Sequence, residues 1–248
     1  MKLKDKNVVV VGATGGIGLE ITREFAKRRT KLILVARSEE KLKKLSNELG
    51  NNVQGYFTVD FTKTSNIENV GKKITDKYKS IDVLINAAGI GVYKNIEEVT
   101  LADWEDSFAV NVTAAYFMTK ALLPSLKNSK KSVVLSTGSG MGKIPTPGRS
   151  VYCATKYALR GVMLSLAQEF KGTNVNIVHV TLGSILTEFG PMTLKEKEEE
   201  SLKGKAYFTP QWVAKKFADI VEKEEFEDEI TLYPSHYSDK DWQVSDKK

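Results

Sequence analysis

A chain of 248 residues, 41% hydrophobic and 27% charged, has the length and composition of one ordered α/β domain, which excludes disordered and collagen-like classes. Its net charge of +6 comes from scattered lysines such as Lys2, Lys43, Lys72, Lys130 and Lys215 rather than a basic block with interleaved aromatics, so no nucleic-acid partner is expected. The single Cys153 excludes an internal disulfide, no apolar run reaches the roughly 18 residues of a membrane span, and no signal-peptide core precedes Asn7, so a cytoplasmic setting is expected.

In chain order, short β-branched apolar runs predict strands at 8–11, 31–36, 54–59, 81–85, 132–135, 175–181 and 230–233. Amphipathic or Ala/Leu/Lys-rich stretches between them predict helices at 16–29, 39–49, 65–79, 101–127, 150–171 and 210–223. This alternation implies right-handed βαβ crossovers and a Rossmann-type, doubly wound parallel sheet of about seven strands with helices on both faces. A single domain is expected over 1–238, with a polar tail at 239–248. Within it, 188–206 stands apart as a substrate lid. Its Lys195 to Glu200 run reads as a solvated helix face, and the flanking Phe189, Met192 and Leu194 are expected to turn inward.

Directly after the first strand comes Gly12-Ala13-Thr14-Gly15-Gly16-Ile17-Gly18, with a helix beginning inside it. Glycines let backbone approach a pyrophosphate, and free N–H groups at the helix start supply donors and a favourable dipole. The glycines fit two spacings: Gly12, Gly16 and Gly18 match G-x-x-x-G-x-G, and Gly12, Gly15 and Gly18 match G-x-x-G-x-x-G. Chain length and the later motifs favour the first. After the second strand, Ala36-Arg37-Ser38 offers no carboxylate for ribose hydroxyls, while Arg37 supplies a guanidinium and Ser38 a hydroxyl for a 2′-phosphate. NADP(H) is therefore the expected cofactor, with NAD(H) possible. Asp60, with Phe61 beside it, is expected at the adenine.

Tyr152 and Lys156 are four residues apart at the start of a helix, which puts a phenol and an ammonium on one face. A neighbouring cation is expected to lower the phenol pKa from its ordinary value of about 10. Ser139 lies in the glycine-rich run after the fifth strand, Asn86-Ala87-Ala88-Gly89 follows the fourth, and Asn111 sits inside the long helix.

On these motifs the chain resembles the short-chain dehydrogenase/reductase family from Val8 to about Pro234. The resemblance implies that Tyr152 is the acid/base, Ser139 orients the substrate oxygen, Lys156 binds the nicotinamide ribose, and Asn111 holds a water of the proton relay. It also assigns phosphate contacts to Gly12, Thr14 and Ile17, the adenosine ribose region to Asn86 and Ala88, and the nicotinamide carboxamide to Ile185 and Thr187. Three positions depart from the family pattern. Val11 replaces threonine and Ala87 replaces asparagine, which weakens hydrogen bonds bracing the cofactor loop. Leu182 replaces the proline before Gly183, which predicts a freer backbone beside the nicotinamide.

The reaction implied is hydride transfer between NADP(H) and a carbonyl or alcohol. The alternatives are a non-catalytic regulator or scaffold with the same fold, and an epimerase-like enzyme on a nucleotide sugar. With two histidines, His179 mid-strand and His236 near the end, neither a Ser-His-Asp hydrolase nor a histidine-bearing metal site is expected. Tyr93, Met141, Ile144, Phe189 and Met192 are expected to border an apolar substrate pocket, with Lys143 and Arg149 offering a place for a carboxylate or phosphate. Apolar residues on more than one face of the helices at 101–127 and 150–171, among them Phe108, Tyr116, Phe117, Met118, Leu159 and Met163, predict a homodimer or homotetramer.

Overall fold

The computed structural model describes residues 1–223 and 225–237, so the tail expected at 239–248 lies outside the described residues. Seven strands, β1 (Asn7–Val11), β2 (Lys31–Ala36), β3 (Val53–Thr58), β4 (Val83–Asn86), β5 (Ser132–Thr137), β6 (Val175–Leu182) and β7 (Glu229–Leu232), form one sheet in the order β3-β2-β1-β4-β5-β6-β7. Every neighbouring pair is parallel. The chain winds outward from β1 to β3, then crosses back to lay β4 on the other side of β1. That reversal opens a crevice at the carboxyl ends of β1 and β4, where an open α/β sheet binds its ligand.

Alternation along each strand divides the core in two, because successive side chains leave opposite faces of a sheet. Val8, Val10, Leu32, Leu34, Val178 and Val180 pack with Phe25, Leu42 and Phe217 of α1 (Gly16–Lys27), α2 (Glu39–Leu49) and α8 (Pro210–Glu222). Val9, Val11, Ile33, Leu84, Val134 and Ile177 pack on the other face against Ile74, Leu122 and Met163. Those belong to α3 (Thr64–Lys77), α5 (Ala114–Lys127) and α6 (Ser150–Glu169). The near-continuous apolar strands are thus the consequence of burial on both sides.

The predicted strands and helices are present, with ends displaced by one or two residues, and one helix is corrected. The stretch 101–127 is α4 (Leu101–Phe108) and α5 separated by a π-helical turn at Ala109–Thr113. Such a turn holds an extra residue, which leaves no 3.6-residue signature in an apolar sequence. The segment 188–206, expected to be a lid, contains α7 (Leu194–Leu202). Met118, Leu159 and Met163 belong to the core, while Trp104, Tyr116 and Tyr157 are exposed on α4, α5 and α6. Among the described residues no helix is long and apolar enough to cross a membrane.

Candidate active site

The glycine loop closes tightly. Gly12 has φ +84°, and a Cβ there would lie 2.6 Å from the main-chain nitrogen of Ala88; one on Gly18 would lie 2.2 Å from the Gly12 carbonyl oxygen. Both positions therefore require glycine. Gly15 caps α1 without a side-chain bond, and helix geometry leaves the first-turn N–H groups of Gly16, Ile17 and Gly18 without intrahelical acceptors. Thr14 precedes them in the same turn. Ala87 and Ala88 pack against the two faces of the core, so their small side chains let the β4 loop run against Gly12. Asn86 is buried; its Nδ2 donates to Thr119 Oγ1 at 3.2 Å, while its Oδ1 has no partner among the described residues. A close-approach glycine cradle is what a dinucleotide needs here.

Further along the crevice, a cleft of about 360 Å³ is lined by Arg37, Asp60, Asn66, Asn69 and Lys73 among others. Arg37 is exposed, and Ser38 caps α2 by accepting from the Lys41 N–H at 3.3 Å. Asp60 accepts from Thr62 Oγ1 at 2.8 Å and from its N–H at 3.1 Å. These bonds, with the Lys63 and Arg37 charges, hold its carboxyl below the ordinary carboxylate value. Phe61 sends its side chain into the core, so only its main chain is available to a ligand.

The catalytic candidates converge at the ends of β4 and β5. Ser139 lies beside the Tyr152 phenol, where it pulls the phenol pKa downward, and its Oγ accepts from the Met141 N–H at 3.2 Å. Lys156 lies one turn on, buried, its Nζ 5.7 Å from the Tyr152 ring centre and donating to the Thr137 carbonyl at 3.0 Å. Burial alone pulls the ammonium down to about 8. The expected lowering of the Tyr152 pKa does not hold in this arrangement: burial pushes the phenol above its ordinary value, and only the neighbouring Ser139 and the Arg149 charge oppose it. Lys156 faces Thr137 instead of the hydroxyl. Asn111, in the π turn, binds the β4 loop through both amide atoms. Its Oδ1 accepts from the Ile90 N–H at 2.8 Å, and its Nδ2 donates to the Ile90 carbonyl at 2.9 Å and to Thr155 Oγ1 at 3.0 Å. Its side chain thus braces the loop to α6.

Beyond β6 the backbone is held, contrary to the freedom expected from Leu182. Leu182 is buried and paired with Leu232, Gly183 donates to the Leu232 carbonyl at 2.8 Å, and a Cβ on Gly183 would meet Pro234 at 2.8 Å. A proline at 182 would remove one N–H from this extended strand. Ile185 bridges to Phe208, and Thr187 packs beside Gly16. The lid is also corrected. Leu194, Ile144 and Phe189 are exposed and Met192 is half-buried, although one side of the Phe189 ring contacts Tyr152 and Tyr93 at ring-centre distances of 5.7 and 6.3 Å. Lys197 turns inward and donates to the carbonyls of Thr187 and Phe189 at 2.7 and 2.6 Å. The charged run gave no sign that one lysine of it would be buried.

A second polar centre was not legible either. Glu229 accepts from Arg160 at 2.7 and 2.9 Å, Lys143 at 2.8 Å and Thr181 at 2.9 Å, which holds its carboxyl at about 2. It ties the Ser139 loop, through Lys143, to the helix carrying Tyr152. Only the spacing 152, 156, 160 down one face of α6 hinted at Arg160. Cys153 is buried and lines a shallow cleft with Pro145, Pro147 and Ser150. His179 is buried, bonded through Nδ1 to Ser136 at 2.9 Å, and its Nε2 lies under Gly138, so it is the core residue expected.

Known proteins resemble this chain in sequence and fold. The family model described as short chain dehydrogenase matches residues 6–199. The NADP-dependent 3-hydroxy acid dehydrogenase YdfG of Salmonella typhi is 32% identical over 202 residues, covering 81% of this chain and 80% of that protein. An alcohol dehydrogenase from Thermococcus sibiricus, solved with 5-hydroxy-NADP, is 27% identical with a TM-score of 0.82, over 95% of this chain and 99% of that one. The closed form of a serine dehydrogenase complexed with NADP+ is 27% identical with a TM-score of 0.82, over 97% of this chain and 100% of that one. The chain therefore belongs to the short-chain dehydrogenase/reductase family and is an NAD(P)-dependent oxidoreductase.

Proposed function

We propose that the protein is an NADP(H)-preferring carbonyl reductase or alcohol dehydrogenase with Tyr152 as its acid/base. The observation that carries the reading is the buried Tyr152 phenol set beside Ser139, one helical turn from the buried Lys156 and in ring contact with Phe189. NADP(H), when bound, supplies or accepts the hydride. In reduction, the Tyr152 hydroxyl gives its proton to the substrate oxygen as that oxygen gains negative charge, and in oxidation it takes the proton back. Burial keeps the phenol protonated at neutral pH, which suits the acid role. Ser139 donates to the same oxygen and fixes its position. Lys156 holds the nicotinamide ribose, and Asn111 keeps the β4 loop in register and holds a water of the relay.

The NADP(H) preference rests on Arg37 at the mouth of the adenosine cleft, on Ala36 where a carboxylate would repel a 2′-phosphate, and on relatives named as NADP-dependent or solved with NADP. The exposed Trp104, Tyr116 and Tyr157 support a homodimer or homotetramer built on α4 to α6, checked by light scattering at micromolar concentration. Tyr152→Phe tests the chemistry. NADPH binding should persist while NADPH oxidation by a panel of aldehydes and ketones disappears. Turnover retained by the variant would remove Tyr152 from the reaction, and no oxidation of tightly bound NADPH by any carbonyl in the unmodified protein would favour a regulator.

A further inference from the structure

Four cations surround the Tyr152 pocket, and three of them are already committed. Lys143 is turned out to Glu229 and to Thr231 Oγ1 at 2.9 Å. Lys156 donates to Thr137, and Lys197 is shared between two lid carbonyls. Arg149, immediately before α6, differs from all three. Its guanidinium carbon sits 5.2 Å from the centre of the Tyr93 ring, and its Nη1 lies 3.8 Å from the sulfur of Met141. Among the described residues it has no carboxylate or carbonyl partner. A guanidinium has five N–H donors and a thioether is a weak acceptor, so nearly all its hydrogen-bonding capacity is unspent.

The position of that spare capacity is specific. Tyr93 touches both Arg149 and Tyr152, with the two tyrosine ring centres 5.6 Å apart. The guanidinium is therefore one aromatic ring away from the reacting hydroxyl, and its charge is felt at both: it opposes the rise that burial imposes on Tyr93 and on Tyr152. Tyr93, Tyr152 and Phe189 all touch one another, so the guanidinium borders the aromatic cluster that carries the reacting hydroxyl and leaves an aromatic-walled space beside it. A planar fork held over a ring beside such a space matches a carboxylate in two-point fashion, which a lysine would not.

We propose that Arg149 anchors a carboxylate on the substrate, so that the site favours short hydroxy or oxo acids over their neutral counterparts. This rests on the oxidoreductase reading given above. The residue was one of two cations that the sequence offered for an anion; the structure separates them, because Glu229 neutralises Lys143 and leaves Arg149 open.

The test compares a four-carbon 3-hydroxy acid, its methyl ester, and a hydroxyalkyl phosphate of similar length, in the unmodified protein and in Arg149→Met and Arg149→Lys. The acid-to-ester ratio of kcat/KM should fall by about one to two orders of magnitude in Arg149→Met, through KM, with Arg149→Lys intermediate. Calorimetry with butyrate and protein loaded with NADPH should show binding that Arg149→Met abolishes. This readout survives if no compound is turned over, in which case the oxidoreductase reading fails and the anion site stands. A preference for the phosphate over the acid would overturn the carboxylate assignment. Equal use of acid and ester by the unmodified protein, or equal losses for both in Arg149→Met, would overturn the anchor itself.

Discussion

The two ends of the crevice are built by opposite means. At the adenosine end, the loops after β1 and β2 are shaped by what is missing: no side chain at Gly12 or Gly18 and no carboxylate at Ala36. At the substrate end, the loops after β4, β5 and β6 are held by side chains arriving from other elements of the chain. Asn111 binds Ile90, Lys156 binds Thr137, Glu229 binds Lys143 and Arg160, and Lys197 binds Thr187 and Phe189. The first end is rigid because of local backbone geometry, and its failures should be abrupt. The second is a set of buried polar contacts, each of which can be weakened separately and made to depend on pH.

The abrupt failure is the largest effect. In Gly18→Ala the new methyl would fall 2.2 Å from the Gly12 carbonyl oxygen, a main-chain atom that cannot step aside without moving β1. A loss of at least about 3 kcal/mol in urea unfolding is expected, together with loss of NADPH binding. Gly16→Ala is the control, since its methyl meets Thr187 Cγ2 at an ordinary 3.5 Å and should cost less than about 1 kcal/mol. Similar stabilities for the two variants would show that the loop yields, and the contrast between the two ends would lose its basis.

The substrate end should instead show its character in acid. His179 is buried beneath Gly138, and burial, with the charges of Lys156, Arg160 and Lys143, lowers its pKa to about 4 against the opposing pull of Glu229. Above pH ~6.5 the imidazole is neutral folded or unfolded and contributes no pH dependence. As pH falls below that value the unfolded chain takes up a proton that the folded chain refuses. Stability is therefore lost between about pH 6.5 and 4, by roughly 3 kcal/mol, and this contribution levels off below pH 4. His179→Asn keeps a partner for Ser136 and removes the titration, so its unfolding free energy should fall less steeply between pH 7 and 4.5. Parallel slopes for parent and variant would place the acid sensitivity elsewhere.

Arg37→Ala sharpens the comparison from the adenosine side. A charge-assisted contact to a 2′-phosphate contributes about 1.5–3 kcal/mol, so NADPH should bind one to two orders of magnitude more weakly while NADH binding scarcely changes. Because Arg37 is exposed, added salt should weaken NADPH binding more than NADH binding. Equal dissociation constants for the two cofactors in the unmodified protein, at low salt, would remove Arg37 from recognition.

The same division explains what was legible in the sequence. Strands buried on both faces must be apolar, and a glycine loop must print its glycines, so the sheet, its order of elements and the cofactor end could be read directly. The Tyr152, Lys156 and Ser139 set was legible because two members share a helix face and the third follows a strand. The π turn around Asn111 was not, since it changes hydrogen bonding without changing composition. Glu229 lies 69 residues from Arg160, and no local pattern announces a partner at that distance. Lys197 was hidden inside a charged run whose other members are mostly exposed, because the sequence does not mark which turn of a short helix faces the protein.

That short helix gives the smallest effect and the finest test. At nine residues α7 cannot hold itself together in water; it depends on its cap and on Lys197. The cap is complete: Thr193 Oγ1 accepts from the Glu196 N–H at 3.2 Å, while Glu196 Oε2 accepts from the Thr193 N–H at 2.7 Å and from its hydroxyl at 2.9 Å. Thr193→Ala removes the hydroxyl and should cost about 1 kcal/mol, spent on local fraying rather than global unfolding. Amides of 194–202 should then exchange about fivefold faster, and KM for a carbonyl substrate should rise by a similar factor as the Lys197 clamp on Thr187 and Phe189 loosens. The melting temperature should not move, because α7 contributes no side chain to either half of the hydrophobic core. A lowered melting temperature would make the lid part of the main cooperative unit. Unchanged exchange would show that Lys197, not the cap, holds it shut.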